Sequence, residues 1–172
     1  MDETLPRPRV ATRGAALEFE GFFAENRERL FRALWLVARD RHEAEEVAQE
    51  AFLKVWERWD RVEGMDDPQG YLYRTAFNLY RNRRRRSLLA LRRFVRATPA
   101  PDPTDAVDDR DQVVRALGTL TPRQRSALVL TDLVELTSEE AARALGVRPS
   151  TVRVLAARAR TALREEIGGQ DG

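Results

Sequence analysis

The stretch from Thr137 to Leu163 limits the possible folds more than any other. Thr137 and Glu140 have capping-box spacing, in which a hydroxyl and a carboxylate satisfy the free amides of a starting helix. Ala141, Ala142 and Leu145 then share an inner face whose small residues let a second helix cross closely. Gly146 follows, a residue that enters φ > 0 without steric cost. Val147 plugs the space between the helices, and Val152 and Leu155 hold the second helix against the first. The outward positions are Arg148, Ser150, Thr151, Arg153, Val154, Ala157 and Arg158. This is the layout of a helix-turn-helix whose second helix meets base edges while arginines grip phosphates.

An ordinary helical hairpin with a solvated basic face is the competing reading. Charge favours the nucleic-acid one. No acid lies between Ala141 and Arg164, whereas Arg143, Arg148, Arg153, Arg158 and Arg160 do. A merely solvated face usually mixes both signs.

Composition narrows the chemistry. With 172 residues, 42% hydrophobic and 34% charged, the chain suits one medium domain or two small ones with modest cores. Net charge is only +2, so its distribution carries the information. Lys54 is the only lysine. Arginine suits bidentate phosphate and base contacts, although a GC-rich coding sequence produces the same bias. The absence of cysteine excludes disulfides, cysteine-ligated zinc and thiol catalysis. His42, the single histidine, leaves little scope for acid–base or metal chemistry. No phosphate loop is present. The expectation is a non-enzyme with no cofactor and no metal. The N-terminal MDETLPRPRV lacks an apolar signal core and no apolar run is long enough for a bilayer, so a cytoplasmic protein with no membrane insertion is expected.

Residues 1–14 are polar and Pro-containing and read as a disordered N-terminus. From Ala15 to Arg39 apolar residues recur at helical steps, including Phe19, Phe22, Phe23, Leu30, Phe31, Leu34 and Trp35, which read as core. Asp40 with Glu43 caps a second helix, about His42 to Arg58. Its Ala44, Val47, Ala48, Ala51 and Val55 form an inward stripe. Glu46, Gln49, Glu50 and Leu53 form an outward one, with Phe52 and Trp56 at the border. These glutamates read either as a solvated face or, beside exposed Leu53, as a partner surface.

After a loop from Trp59 to Asp67, Asp67 as N-cap and Pro68 at the first position open a third helix to about Arg86. Leu72, Thr75, Ala76 and Leu79 form its inner face, and Tyr73, Phe77 and Tyr80 line up on another. Arg74, Arg81 and Arg83 to Arg86 supply charge, and no acid occurs from Pro68 to Pro101. The aromatic stripe has two readings of equal weight: core, or a stacking platform for single-stranded nucleic acid worth roughly 1–3 kcal/mol per base. The basic run also suits a helix C-terminus. Its length and the missing acids favour nucleic acid. Residues 87–96 either continue the helix or break it.

Pro99, Pro101 and Pro103 with Asp102, Asp105, Asp108 and Asp109 mark a linker and the domain boundary. The expected division is a first domain at 15–96, a linker at 97–108, a second domain at 109–167 and a tail at 168–172. In the second domain, Val113, Ala116, Leu117 and Leu120 pattern a short helix. Thr121, Pro122 and Gln124 open another that ends near Glu135. No strand-like alternation appears. The fold class expected is all-α: two small helical domains on a flexible linker.

From about Phe19 to Arg164 the chain resembles the bacterial alternative sigma factors of the extracytoplasmic-function type, group 4 of the sigma-70 family. HEAEEVAQEAFLKVW resembles the region 2 helix that docks on the clamp helices of the polymerase β′ subunit. YLYRTAFNLYRNRRRR resembles the helix that binds the −10 element and holds melted DNA. LTPRQRSALVLTDLVELTSEEAARALGVRPSTVRVLAARARTAL resembles region 4, which binds the −35 element. Three matches in this order are far more specific than a helix-turn-helix alone. The resemblance implies that Glu46, Gln49, Glu50, Phe52, Leu53 and Trp56 contact core RNA polymerase. It implies −10 contacts for Arg74, Phe77, Asn78, Arg81, Asn82, Arg84 and Arg85, with the Trp59–Asp67 loop selecting an extruded base. It implies −35 contacts for Arg148, Ser150, Thr151, Arg153 and Arg158. The implied partners are core polymerase, at the β′ clamp helices and the β flap, promoter DNA and an anti-sigma factor. The sequence departs from the family where Asn82 replaces a frequent aspartate, Phe77 a frequent basic residue, and Val154-Leu155 a common serine–arginine pair. Base preference therefore does not transfer from a relative.

Two alternatives remain. A polymerase-independent regulator would use the same helix-turn-helix but needs no EAEEVAQEAF surface. A protein that merely sequesters another factor has no need of the acid-free basic helix.

Overall fold

The computed structural model describes residues 13–94 and 110–168. The expected linker, 97–108, lies outside the described residues, as does most of each expected tail. The described residues are helical, with no strand among them.

The first domain is built from α1 (Arg13–Ala38), α2 (Arg41–Trp56), the single turn α3 (Trp59–Val62) and α4 (Pro68–Phe94). Local chemistry sets their ends. The Asp40 carboxylate accepts the Glu43 amide at 2.9 Å, which starts α2. Asp67 accepts the Gly70 amide at 2.7 Å, with Pro68 in the first turn of α4. Arg39 ends α1 at φ 60°, the left-handed position usually given to glycine, at a cost of about 1–2 kcal/mol. Its guanidinium lies against Gly118, where a Cβ would come within 2.8 Å of it. Helix α4 runs on past Arg86 to Phe94, so residues 87–94 continue the helix.

Apolar faces then close the domain. Leu30, Leu34 and Val37 of α1 meet the small stripe Ala44, Val47, Ala51 and Val55 of α2, and Leu72, Ala76 and Leu79 of α4 complete the core. An aromatic cluster fills the open end. Phe19 lies 4.8 Å from Trp56 and 5.3 Å from Trp59 between ring centroids, and Phe23 meets Phe52 at 4.7 Å.

The second domain contains α5 (Arg110–Gly118), α6 (Pro122–Leu128), α7 (Ser138–Leu145) and α8 (Pro149–Gly168). Thr121 and Thr137 each form a complete capping box, with Gln124 and Glu140 respectively. Helix α6 does not run uniformly to Glu135. It widens into a π-helical turn, Val129–Leu133, and Glu135 takes φ 61° beyond it.

The two domains are packed together. Helix α4 lies along α7, and α1 lies along α6 and the π turn. One continuous apolar cluster joins Leu34, Tyr73 and Phe77 on one side to Ala127, Leu130, Ala141 and Val152 on the other.

Candidate nucleic-acid interface

The helix-turn-helix has the expected register. Val152 is fully buried with Ala141, Ala142 and Ala156 in one cluster, while Ala159 packs against Leu117, Leu120 and Leu128. Gly146 adopts φ 66° and ψ 38°, and the next amide, of Val147, reaches back to the Ala142 carbonyl at 3.1 Å. Hydrogen bonds from the Thr137 hydroxyl and amide hold the Glu140 carboxyl below the usual carboxylate range. Arg148, just before α8, and Ser150, Thr151, Arg153, Val154 and Arg158 on α8 all face solvent. Arg153 reaches Glu139 only loosely, at 3.4 Å. Arg160 is different. It forks onto Asp132 with bonds of 2.8 and 2.6 Å, which depress the Asp132 carboxyl and tie α8 to the π turn.

Helix α4 presents two faces beyond its core contacts. The first borders a hollow of about 580 Å³ between the end of α2, α4 and the segment Trp59–Asp67, expected as a loop but opening with the helical turn α3. Arg74, Asn78 and Asn82 line it, together with Lys54, Arg58 and Arg61. Tyr71 lies in the same wall, with the Arg74 guanidinium 5.8 Å from its ring centroid and Arg58 donating to its hydroxyl at 3.3 Å. A basic hollow with an aromatic wall and two amides can take an unstacked base and its phosphates. Lys54, Arg58 and Tyr71 were not among the expected site residues, whereas Arg61 belongs to the Trp59–Asp67 segment expected to select a base. The one available signal was the clustering of basic residues around Trp59.

The second face turns toward the second domain. Phe77, Tyr80, Arg81, Arg84 and Arg85 border a hollow of about 740 Å³ with Pro122, Leu145, Gly146, Val147 and Leu155. Tyr73, Phe77 and Tyr80 are all buried, Phe77 at 2% exposure, so the aromatic stripe is core in this arrangement rather than an open stacking platform. Burial pushes the Tyr73 phenol up to about 12. Arg81 donates from Nη1 to the Leu145 carbonyl and from Nη2 to Asn78 Oδ1 at 2.8 Å. The residues expected at the −10 element are therefore divided: Arg74, Asn78 and Asn82 in the first hollow, the others along the seam.

On α2, Glu46, Gln49 and Leu53 are exposed, Leu53 at 56%, and Glu50 and Trp56 are half-buried. Phe52 faces inward, at 5% exposure, because the helical period puts it over the α1 aromatics. Glu46 and Glu50 are joined by a residue outside the expected set. Arg83 of α4 donates to Glu46 Oε2 at 2.7 Å and to Glu50 Oε2 at 2.8 Å. These bonds raise the Arg83 pKa.

Together these features define a two-domain helical protein with an exposed basic helix in a helix-turn-helix, a hollow lined mostly by basic residues and a separate acidic face. The family model for sigma-70 region 2 matches residues 22–88, and that for sigma-70 region 4 matches residues 110–163. The RNA polymerase sigma-E factor of Streptomyces coelicolor is 30% identical over 160 residues, covering 92% of this chain and 90% of that protein. The ECF RNA polymerase sigma factor SigE of Mycolicibacterium smegmatis is 31% identical over 150 residues, covering 82% of this chain and 58% of that protein. Among solved structures, the sigma factor RpoE in complex with the anti-sigma factor NepR, from Bartonella quintana, superposes with a TM-score of 0.73 at 21% identity, covering 88% of this chain and 97% of that one. CnrH in complex with the cytosolic domain of CnrY superposes with a TM-score of 0.62 at 24% identity, covering 90% of each chain. These two likenesses concern the fold alone. The chain belongs to the sigma-70 family of RNA polymerase sigma factors, in its extracytoplasmic-function group.

Proposed function

We propose that the protein is an alternative sigma factor that binds core RNA polymerase and directs it to promoters. The observation that carries this reading is the succession of three chemically distinct surfaces on one chain. The acidic and apolar stripe Glu46, Gln49, Glu50 and Leu53 docks on the polymerase, with Trp56 at its edge and Phe52 supporting it from the core. The hollow at Arg74, Asn78 and Asn82 captures −10 bases once they unstack. Arg148, just before α8, and Ser150, Thr151, Arg153 and Arg158 on it read the −35 duplex in the major groove. Capture of unpaired bases offsets the cost of melting, so no nucleotide hydrolysis is required and the protein acts as a binding factor rather than an enzyme. No described helix is long and apolar enough to cross a membrane, and the site of action is wherever the polymerase works, the cytoplasm.

In domain terms, region 2 occupies 15–96 and region 4 occupies 109–167, with 97–108 linking them. An anti-sigma factor is the expected negative regulator, since a structural relative is described as bound to one. The test is co-elution of the purified protein with bacterial core RNA polymerase, followed by run-off transcription on genomic fragments. Stable co-elution with new start sites is expected. Absence of co-elution, with tight duplex binding by the free protein, would replace this reading with a polymerase-independent regulator.

A further inference from the structure

Three arginines from different helical segments gather around Arg125. Arg125 itself, on α6, is only 5% exposed, and its Nε and Nη1 are buried without a hydrogen-bond partner among the described residues. Arg39, just past α1, also has its Nε buried and unpartnered, and its guanidinium rests on Gly118 at the end of α5. Arg84 of α4 lies beside the Tyr80 hydroxyl, which also feels the Arg125 charge and donates to the Val37 carbonyl at 3.4 Å. Burial lowers the Arg125 pKa, and the Arg39 and Arg84 charges lower it further.

A guanidinium keeps its proton inside a protein, so burial does not remove this charge. An unpaired buried cation is strongly unfavourable, and two cationic neighbours add to the cost. The nearby carboxylates do not answer it. Glu43 acts on Tyr80 and Arg84 from α2, yet it makes no hydrogen bond to Arg39 or Arg125. The Asp40 carboxylate is taken up by the Glu43 amide. What remains is a set of unused planar donors pointing from three segments, the donor chemistry that recognises oxyanions. Tyr80 and Arg84 also border the hollow of about 740 Å³, so a small solute approaches the group from that side. A nucleic-acid strand does not fit as the occupant, because the sugars flanking each phosphodiester keep it away from a guanidinium that is 5% exposed.

We propose that Arg39, Arg84 and Arg125 form a binding site for a small multivalent oxyanion of the phosphate class, with Arg125 as its deepest ligand. The anion supplies the acceptors that Arg39 and Arg125 lack and compensates three crowded positive charges at once. Arg39 and Arg84, both half-buried, stand at the mouth. Bound there, the anion ties α1, α4 and α6 to one another, and its binding stabilises the folded chain by mass action.

The test is isothermal titration calorimetry of the full chain with inorganic phosphate and then pyrophosphate, in chloride buffer at constant ionic strength. One site per chain is expected. Arg125→Met is expected to bind roughly ten- to hundredfold more weakly, the weight of a charge-assisted bond. Arg39→Gln, at a half-buried position, provides a second variant with a loss in the same direction. Thermal unfolding adds a readout that a merely structural arginine would not move. At a roughly hundredfold excess of pyrophosphate over its Kd, the wild type should melt about 5–11 °C higher, and the gap to both variants should widen as the ligand is added. Adenosine triphosphate is titrated in parallel: binding tighter than pyrophosphate identifies the ion as the terminal phosphates of a nucleotide, and weaker binding identifies it as a free inorganic ion. No binding of phosphate or pyrophosphate to the wild type overturns the site. So does binding that both variants retain, or a melting gap that pyrophosphate leaves constant. Binding kept in Arg125→Met but lost when Arg153→Ala and Arg158→Ala are combined assigns the anion to α8 and overturns the site as well.

Discussion

Replacing Arg83 by glutamine tests whether the docking helix and the DNA helix are held together by charge. Glutamine keeps the helix propensity and most of the stem. The substitution removes two bonds, of 2.7 and 2.8 Å, between α4 and the carboxylates of Glu46 and Glu50. The side chains are partly solvated, 27% exposed for Arg83 against 48% and 35% for its partners. Each bond is therefore worth only about 0.2–1 kcal/mol. Its loss also leaves two carboxylates one helical turn apart, a repulsion of about 0.2–0.5 kcal/mol. The sum is about 0.6–2.5 kcal/mol, which lowers the melting temperature of a chain this size by about 1–10 °C. The assay is thermal unfolding by circular dichroism at low salt and again near 1 M salt, where the Debye length falls to about 3 Å and the difference should shrink. A cycle with Glu50→Gln isolates the pair, with a coupling of about 0.2–1 kcal/mol expected. A melting temperature within about 1 °C of wild type at low salt, or a deficit unaffected by salt, would refute the electrostatic account.

Other substitutions separate the remaining surfaces. Gln49→Ala combined with Leu53→Ala should weaken binding to core polymerase, measured by fluorescence anisotropy, with no loss of melting temperature, because both side chains are exposed and Glu50 stays paired with Arg83; wild-type affinity would remove the docking assignment. Gly146→Ala should cost about 1–2 kcal/mol in urea unfolding, since the position needs φ 66° and the new Cβ would approach the Arg81 guanidinium. An unchanged urea midpoint would show that the turn relaxes. The Asp132 carboxyl is depressed by its Arg160 bonds, so its contribution to stability is present above the unfolded pKa of about 3.9 and disappears as pH falls through the lower folded value. Asp132→Asn should therefore melt lower than wild type at pH 6 and converge with it in strong acid; a gap that persists there would assign the loss to packing.

Capping chemistry explains why much of the fold was legible. Asp40, Asp67, Thr121 and Thr137 each act on an amide three residues away, so the signal and its partner lie in one short window. The spread of candidate site residues was less legible. Arg83 looked like one more member of a basic run, yet its partners stand 37 and 33 positions earlier. Phe52 seemed to border the exposed stripe, and only the α1 aromatics decide that it is covered. Lys54, Arg58, Arg61 and Tyr71 lie on different elements, so no single periodicity could gather them into one hollow.

By itself, the sequence determined the helical class, the start of each capped helix, the helix-turn-helix register around Gly146 and the stretches that carry the family resemblance. These depend on neighbours within a turn or on a helical face, and both repeat at short range. The tertiary structure alone decided how those faces are used. It buried Tyr73, Phe77 and Tyr80, paired Arg160 with Asp132 28 positions away, and brought Arg29 to the Val134 carbonyl 105 positions away. A helix pattern says which residues share a side, but what lies across from that side depends on packing between distant segments. That packing settles which arginines are engaged within the protein and which stay exposed.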